Sequence, residues 1–220
     1  SEDRLIAVAL LTEEDHVLLA TRQGKAIRFM GTDIREFQSR TSTGVRGMTL
    51  KGDDEVISLS ILHRSGATQE EREAYLRAAP WKDNENEPAL PAERMTEMVE
   101  REQFILTVCA NGYGKLSSAY GYRRTGRGGQ GITNIDNIER NGPVVASFPA
   151  TKGDQLMLVT DQAKLIRMPL DSLRVLGRGT AGVRLFNVDD NEHVVGAARI
   201  EESDEEEESE ISPSPVEDMN

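Results

Sequence analysis

The chain has 220 residues, of which 37% are hydrophobic and 29% charged, with a formal net charge of −12. That is enough chain to bury a core in one or two domains, and no apolar run approaches the length needed to span a membrane. The single cysteine, Cys109, excludes an internal disulfide framework; it fits a reducing cytoplasm and reads as a core thiol inside the apolar run 104–110.

The charge is unevenly spread. Residues 201–220 hold ten acidic and no basic residues, so residues 1–200 carry only −2. Residues 63–102 carry −4 and residues 103–200 carry +4. The basic part contains the stretch Tyr122-Arg-Arg-Thr-Gly-Arg-Gly-Gly-Gln-Gly-Ile132, with three arginines and four glycines in eleven residues. Glycine lets a main chain approach a phosphate closely, so charge per segment matters more here than charge per chain.

Taken in order, the chain repeats itself three times. An apolar run, a turn and a lysine occur at 16–25, 106–115 and 155–164, ending on Lys25, Lys115 and Lys164. A glycine anchor comes next at Gly44, Gly131 and Gly182, after gaps of 19, 16 and 18 residues. A third anchor, a short apolar stretch, lies at 55–59, 143–147 and 193–197. Lys115 and Lys164 are 49 residues apart, which sets a period near fifty. Within a repeat, Ile27 and Phe29 fall on one face of a strand, and Ile166 and Met168 take the same places. Short strands, glycine turns and this period predict an all-β fold, a propeller-like array of blades with about four strands each.

The surplus between the first two repeats is residues 63–102. Thr68 with Glu71 three residues later is a capping-box signature for a helix over 68–79. Prolines at 80, 88 and 91 interrupt the helical pattern, and 92–101 suits a second short helix. Trp81 is expected to pack this insertion onto the body. The organisation is therefore blade repeats at 1–62, 103–152 and 153–200, a helical insertion at 63–102, and an acidic tail at 201–220 that is expected to be disordered.

No catalytic constellation is apparent. His16, His63 and His193 are isolated and none shares metal-ligand spacing with Cys109. The glycine-rich stretch lacks the Gly-Lys-Ser/Thr ending of a nucleotide phosphate loop. The recurring residues are cations: Lys25 with Lys115 and Lys164, Arg28 with Arg167, and Arg46 with Arg184. Arg123, Arg124 and Arg127 on the glycine-rich loop, and Arg178, complete the set of candidate DNA contacts. In a ring of blades, equivalent positions form a belt at one height, suited to double-stranded DNA bound through its phosphates. The bland alternative is that they are solvated strand ends. A second alternative is a non-catalytic protein-interaction scaffold in which the insertion docks a partner.

The runs Thr43-Gly-Val-Arg-Gly-Met-Thr-Leu-Lys-Gly-Asp-Asp-Glu-Val-Ile-Ser-Leu59, Ala110-Asn-Gly-Tyr-Gly-Lys115 and Glu139-Arg-Asn-Gly-Pro-Val-Val145 resemble the C-terminal domain of the DNA gyrase A subunit. The likeness spans nearly all of the chain outside 63–102 and the tail, and topoisomerase IV is a poorer match. It implies a β-pinwheel of six blades, of which the three repeats match the last three, and a basic perimeter that wraps DNA so that the holoenzyme introduces negative supercoils. It further implies that the chain is a C-terminal fragment and no enzyme by itself. The DNA-cleaving tyrosine then lies elsewhere, so Tyr113, Tyr120 and Tyr122 are not nucleophiles. ATP and Mg2+ belong to other parts of the holoenzyme and this chain needs no cofactor. The implied partners are the B subunit together with the rest of the A subunit, in an A2B2 heterotetramer, in the bacterial cytoplasm at the nucleoid. The family's arginine- and glycine-rich box belongs to its first blade; residues 124–131 resemble it, with Gln130 where a cation is usual, which places the box itself upstream. In the family such tails can compete with DNA for the rim; the alternative is a tail that only solubilises the chain.

Overall fold

The computed structural model describes residues 4–82, 89–136 and 139–201. All of the acidic tail except Glu201 lies outside them. The first repeat supplies β1 (His16–Thr21), β2 (Lys25–Met30) and β3 (Val56–Leu62). The second supplies β4 (Phe104–Cys109), β5 (Tyr113–Ser118), β6 (Ile132–Thr133) and β7 (Val144–Ala150). The third supplies β8 (Gln155–Thr160), β9 (Leu165–Pro169), β10 (Val183–Arg184) and β11 (Val194–Ile200).

Three antiparallel sheets result, in the orders β3-β1-β2-β6, β10-β5-β4-β7 and β11-β8-β9. The all-β, propeller-like reading therefore holds, with two sheets of four strands and one of three. In each repeat a tight hairpin joins the first two strands. A left-handed residue sits at the same turn position each time: Gly24 at φ 83°, Gly112 at φ 77° and Ala163 at φ 61°. The return strand then pairs with the first strand, and a bulge recurs there, at Ala20/Thr21, Val108/Cys109 and Val194/Gly196. A bulge bends and twists its strand, which lets a short sheet splay into a blade.

Strands are exchanged between sheets. β6 belongs to the second repeat but pairs with β2 of the first, Lys25 opposite Thr133 and Ala26 opposite Ile132. β10 of the third repeat likewise pairs with β5 of the second, Arg184 opposite Tyr113. The anchor glycines explain how the crossing strand fits. A Cβ on Gly131, at φ 74°, would lie 2.4 Å from the Ala26 carbonyl oxygen, and one on Gly182, at φ 79°, would lie 2.7 Å from that of Gly114. Neither the backbone angle nor the space admits a side chain.

The apolar residues of adjoining sheets pack face to face. Leu18, Ala20, Ala26 and Leu62 of the first repeat close on Ile105, Ala119 and Tyr122 of the second. Leu106, Val108 and Leu116 close on Leu156, Leu158, Leu170 and Val175 of the third.

The insertion holds α1 (Gln69–Ala78) and α2 (Ala92–Glu100). Thr68 caps α1, and Glu71 returns the bond to the Thr68 N–H. Tyr75 and Met98 are fully buried against Tyr120, with the Tyr75 and Tyr120 rings 4.8 Å apart edge-on. Trp81 meets Phe104 edge-on at 6.3 Å, which fastens the insertion to the first strand of the second repeat.

The Tyr75 hydroxyl donates to Glu102, whose carboxyl group is buried beside it. Burial raises the Glu102 pKa to about 7. Folding therefore takes up a proton between the ordinary carboxyl range and pH 7. The stability that Glu102 contributes is complete at acid pH and is lost as pH rises through 7. Glu102→Gln keeps an acceptor for Tyr75 and removes the titration. It is expected to raise stability by about 1–2 kcal/mol at pH 8 and to leave it unchanged near pH 4, measured by urea unfolding at the two pH values.

Candidate nucleic-acid interface

The exchanged strands are carried by two crossing segments that run from β5 to β6 and from β9 to β10. The first is the glycine- and arginine-rich stretch. Tyr122 is fully buried at its root, where its hydroxyl donates to Asn134; Asn134 in turn donates to Thr107 at 3.1 Å and Ser147 at 3.2 Å. The segment then lies along the first repeat. Thr125 N–H donates to the Arg28 carbonyl at 2.8 Å, Gly128 N–H to Gly47 at 2.8 Å, and Thr49 N–H back to Gly129 at 2.9 Å. A backbone bridge joins Arg28 to Arg124, and the second crossing segment repeats it between Leu116 and Val175.

These registers correct the alignment of the repeats. Gly24, Gly112 and Ala163 are equivalent, so Lys25 corresponds to Tyr113 and Lys164, while Lys115 corresponds to Ile27 and Ile166. Matching on lysine shifts the second repeat by two residues. The signal is in the spacing: 16 residues from Lys115 to Gly131 against 19 and 18 elsewhere, whereas Tyr113 to Gly131 is 18.

The shift has a chemical consequence. Lys115 takes the register position of the buried Ile27 and is itself 0% exposed. Its ammonium donates to the carbonyl oxygens of Gly177 at 2.9 Å and Thr180 at 2.8 Å, and to that of Arg178. Burial, then the neighbouring Arg178, lowers its pKa to about 7. Lys115 is a buried clamp on the second crossing segment, not a member of a solvent-facing belt.

Arg28 departs from expectation in the same way. It is 6% exposed, with Nε donating to His16 Nδ1 at 3.0 Å and Nη1 to the Ala119 and Tyr122 carbonyls at 2.9 and 3.4 Å. Its equivalent, Arg167, is exposed, and its Nε donates to Gln155.

Arg127 and Arg178 form an equivalence of their own. Arg127 donates to the carbonyls of Asp33 at 3.2 Å and Arg46 at 2.6 Å. Arg178 donates to the matching carbonyls, Gly121 at 2.9 Å and Thr133. Arg127 thus clasps the first repeat near Arg46 and Arg178 clasps the crossing strand β6 at Thr133, and burial lowers the pKa of Arg178. The sequence carries this signal as Gly126-Arg-Gly128 and Gly177-Arg-Gly179, with the arginine four residues ahead of the anchor glycine.

The remaining candidates face solvent. Arg123 makes no bond to any described residue, and Arg124 reaches only the Met30 sulfur at 3.0 Å. Lys25 touches Thr133 Oγ1 at 3.3 Å, and Arg46 is exposed above the Arg127 clasp. Lys164 is neutralised by Asp189 and by the buried Glu192, 2.8 Å away, and these carboxylates raise its pKa.

Arg184 belongs to a cluster that the sequence did not suggest. Its guanidinium carbon stands 5.2 Å from the Tyr113 ring centre, and Arg140 stands 4.8 Å from the same ring. Arg184 also donates to the Tyr113 hydroxyl at 2.7 Å and to Asn187 at 2.9 Å, and Arg140 to the Gly182 carbonyl at 3.4 Å. Stacking fixes two planar cations while leaving both exposed, a preorganised arrangement for phosphate oxygens. Among the described residues no group of three His, Cys, Asp or Glu side chains is placed to hold a metal ion, and no helix is long and apolar enough to cross a membrane.

Comparison with known proteins agrees with this geometry. The chain matches the family described as "DNA gyrase C-terminal domain, beta-propeller" over residues 15–63, 103–151 and 154–201. It is 48% identical to the DNA gyrase A subunit of Rickettsia bellii over 96% of this chain and 25% of that protein. It is 35% identical to the DNA gyrase A subunit of Salmonella typhimurium over 94% of this chain and 19% of that protein. The chain thus spans about a quarter of the length of the first of these relatives, and less of the second. Among solved structures, the C-terminal domain of DNA topoisomerase IV shares the fold, with a TM-score of 0.64 at 16% identity over 86% of this chain and 47% of that one.

Proposed function

The chain belongs to the DNA gyrase C-terminal domain family, and on that premise we propose that it binds double-stranded DNA through the phosphates and bends it along an outer surface built on the crossing segments. The observation that carries this reading is the placement of cations. Arg123 and Arg124 ride on the first crossing segment, and Arg184 ends the second, with Arg140 brought beside it on Tyr113 from the turn before β7; all four are exposed and none has a carboxylate partner among the described residues. Exposed cations thus lie on both crossing segments, and one duplex can meet them in succession. Such contacts position DNA without reading its sequence.

In this reading the domain serves a larger type II topoisomerase. The rest of the A subunit cleaves and rejoins DNA, the B subunit hydrolyses ATP with Mg2+, and bending by this domain biases strand passage toward negative supercoiling. The setting is the cytoplasm, at the nucleoid. Family membership favours this over a protein-docking scaffold.

The test is the salt dependence of duplex binding. Engagement of about five to seven phosphates predicts that the logarithm of affinity for a 40-base-pair duplex falls against the logarithm of salt concentration with a slope of about −4.5 to −6.3, alike for unrelated sequences. Fluorescence anisotropy between 50 and 300 mM salt measures it. A slope near zero, or a strong preference among sequences, would contradict the reading.

A further inference from the structure

Where the insertion meets the first repeat, the surface folds into a cleft of about 430 Å³, within the size range of small-ligand sites. Four arginines line it: Arg28 from β2, Arg64 and Arg72 from the insertion, and Arg124 from the first crossing segment. No aspartate or glutamate is among the lining residues. Only Arg64 has a carboxylate partner, Glu14, at 2.9 Å on the outside. Arg72 is occupied at one nitrogen by the Thr68 carbonyl at 3.3 Å, and Arg28 and Arg124 by the neutral groups described above. Four guanidinium groups gathered around one space repel one another unless an anion joins them.

A second feature lies in the wall of the same cleft. His16 also lines it and is 8% exposed. Arg28 Nε–H donates to His16 Nδ1, so that nitrogen carries no proton. The neutral ring must then hold its proton on Nε2, and Nε2 is buried with no hydrogen-bond partner. Burial, together with Arg28, lowers the His16 pKa to about 4, which keeps the ring neutral and Nε2 a donor. Nε2 has no accessible surface of its own, so His16 stands in the wall behind Arg28 and senses what that arginine holds. The rim of the cleft includes Thr68 and the start of α1, the positive end of a ten-residue helix.

We propose that this cleft is a phosphate-binding site, formed jointly by the insertion, the first repeat and the first crossing segment, in which Arg28, Arg64, Arg72 and Arg124 hold a phosphate-bearing group. Planar guanidinium forks match phosphate oxygens in pairs. The phosphate is that of a DNA backbone or of a free phosphorylated ligand. The site does not depend on the DNA-binding role proposed above. It gives the insertion a task, since Arg64 and Arg72 are contributed by it and flank the start of its first helix.

The probe is inorganic pyrophosphate, titrated into the full chain at constant ionic strength and followed by calorimetry and by the imidazole resonances of His16. Saturable heat together with a shift of the His16 Nε2–H resonance is expected. The double variant Arg64→Gln, Arg72→Gln should bind pyrophosphate at least tenfold more weakly with unchanged thermal stability, while Arg77→Gln, Arg174→Gln should bind as the parent does. A 40-base-pair duplex separates the sources. If DNA supplies the phosphate, pyrophosphate competes with the duplex and the double variant loses about tenfold in duplex affinity. If a free ligand supplies it, duplex affinity is the same in the variant and the parent. Either result supports the site. The absence of a saturable response at His16 with pyrophosphate, or unaltered pyrophosphate affinity in the double variant, overturns it whatever the duplex does.

Discussion

Changing Arg123, Arg124 and Arg184 together to glutamate is expected to lower affinity for a 40-base-pair duplex by about a hundredfold or more at 0.1 M salt, and to flatten the salt slope by about three. The three sit on both crossing segments, so the change breaks the proposed path in two places. Arg123 has no bond to lose, Arg124 gives up a contact to sulfur, and Arg184 gives up Tyr113 and Asn187 at the surface. Stability should therefore move by less than about 1 kcal/mol, since exposed polar contacts contribute little. The control reverses the same number of charges within the insertion, at Arg77, Lys82 and Arg101, all exposed. Net charge then changes equally, and only the location differs. Anisotropy with both variants decides the matter: equal losses would mean that total charge, and not the crossing segments, governs binding.

The second large effect is on stability. Lys115→Met retains the length and apolar stem of the side chain but removes a donor that holds three carbonyl oxygens of the second crossing segment. Gly177 O keeps Thr180 as a partner and Thr180 O keeps the Asp136 N–H, so the Arg178 carbonyl suffers most. A loss of about 2–4 kcal/mol is expected from buried charge-assisted bonds that cannot be replaced. The pH dependence identifies the cause. With its folded pKa lowered to about 7, Lys115 binds fewer protons in the native chain than in the unfolded one as pH rises from 7 toward the ordinary lysine range. Native stability from this residue thus increases over that interval. The parent should gain relative to the Met variant between pH 7 and 9.5, read from urea midpoints. A gap that stays constant with pH would assign the loss to packing alone.

Much of the fold is legible in the sequence. Apolar runs bounded by turns mark the hairpins, and charge together with Thr68 and Glu71 marks the insertion. The features that escape are those that depend on partners far along the chain. β6 and β10 are two residues each, too short to show a period, and their partners lie in another repeat. Arg28 looks like a surface strand cation because its acceptors, Ala119 and Tyr122, are 91 and 94 residues away. Lys115 falls out of register when the lysine beyond the turn serves as the fixed point, because the left-handed turn residue is the position that the hairpin constrains. The Arg140–Tyr113–Arg184 stack has no local signature, since its members come from three different segments.

Strand exchange has a consequence for how such a chain can grow or shrink. The stretch that repeats in sequence and the sheet that it helps to build are out of phase, since the last strand of each four-stranded sheet is borrowed from the next stretch. Excising residues 153–200 would take away the third sheet and also β10, baring the β5 edge of the second. A blade here is not a detachable cassette. The middle repeat is lender and borrower at once, so a gain or loss of units preserves every sheet only if the junction reunites a donor segment with an acceptor hairpin of matching register. The same interlocking ties the unfolding of one sheet to that of its neighbour, which makes the array behave less as beads on a string than as a woven strip.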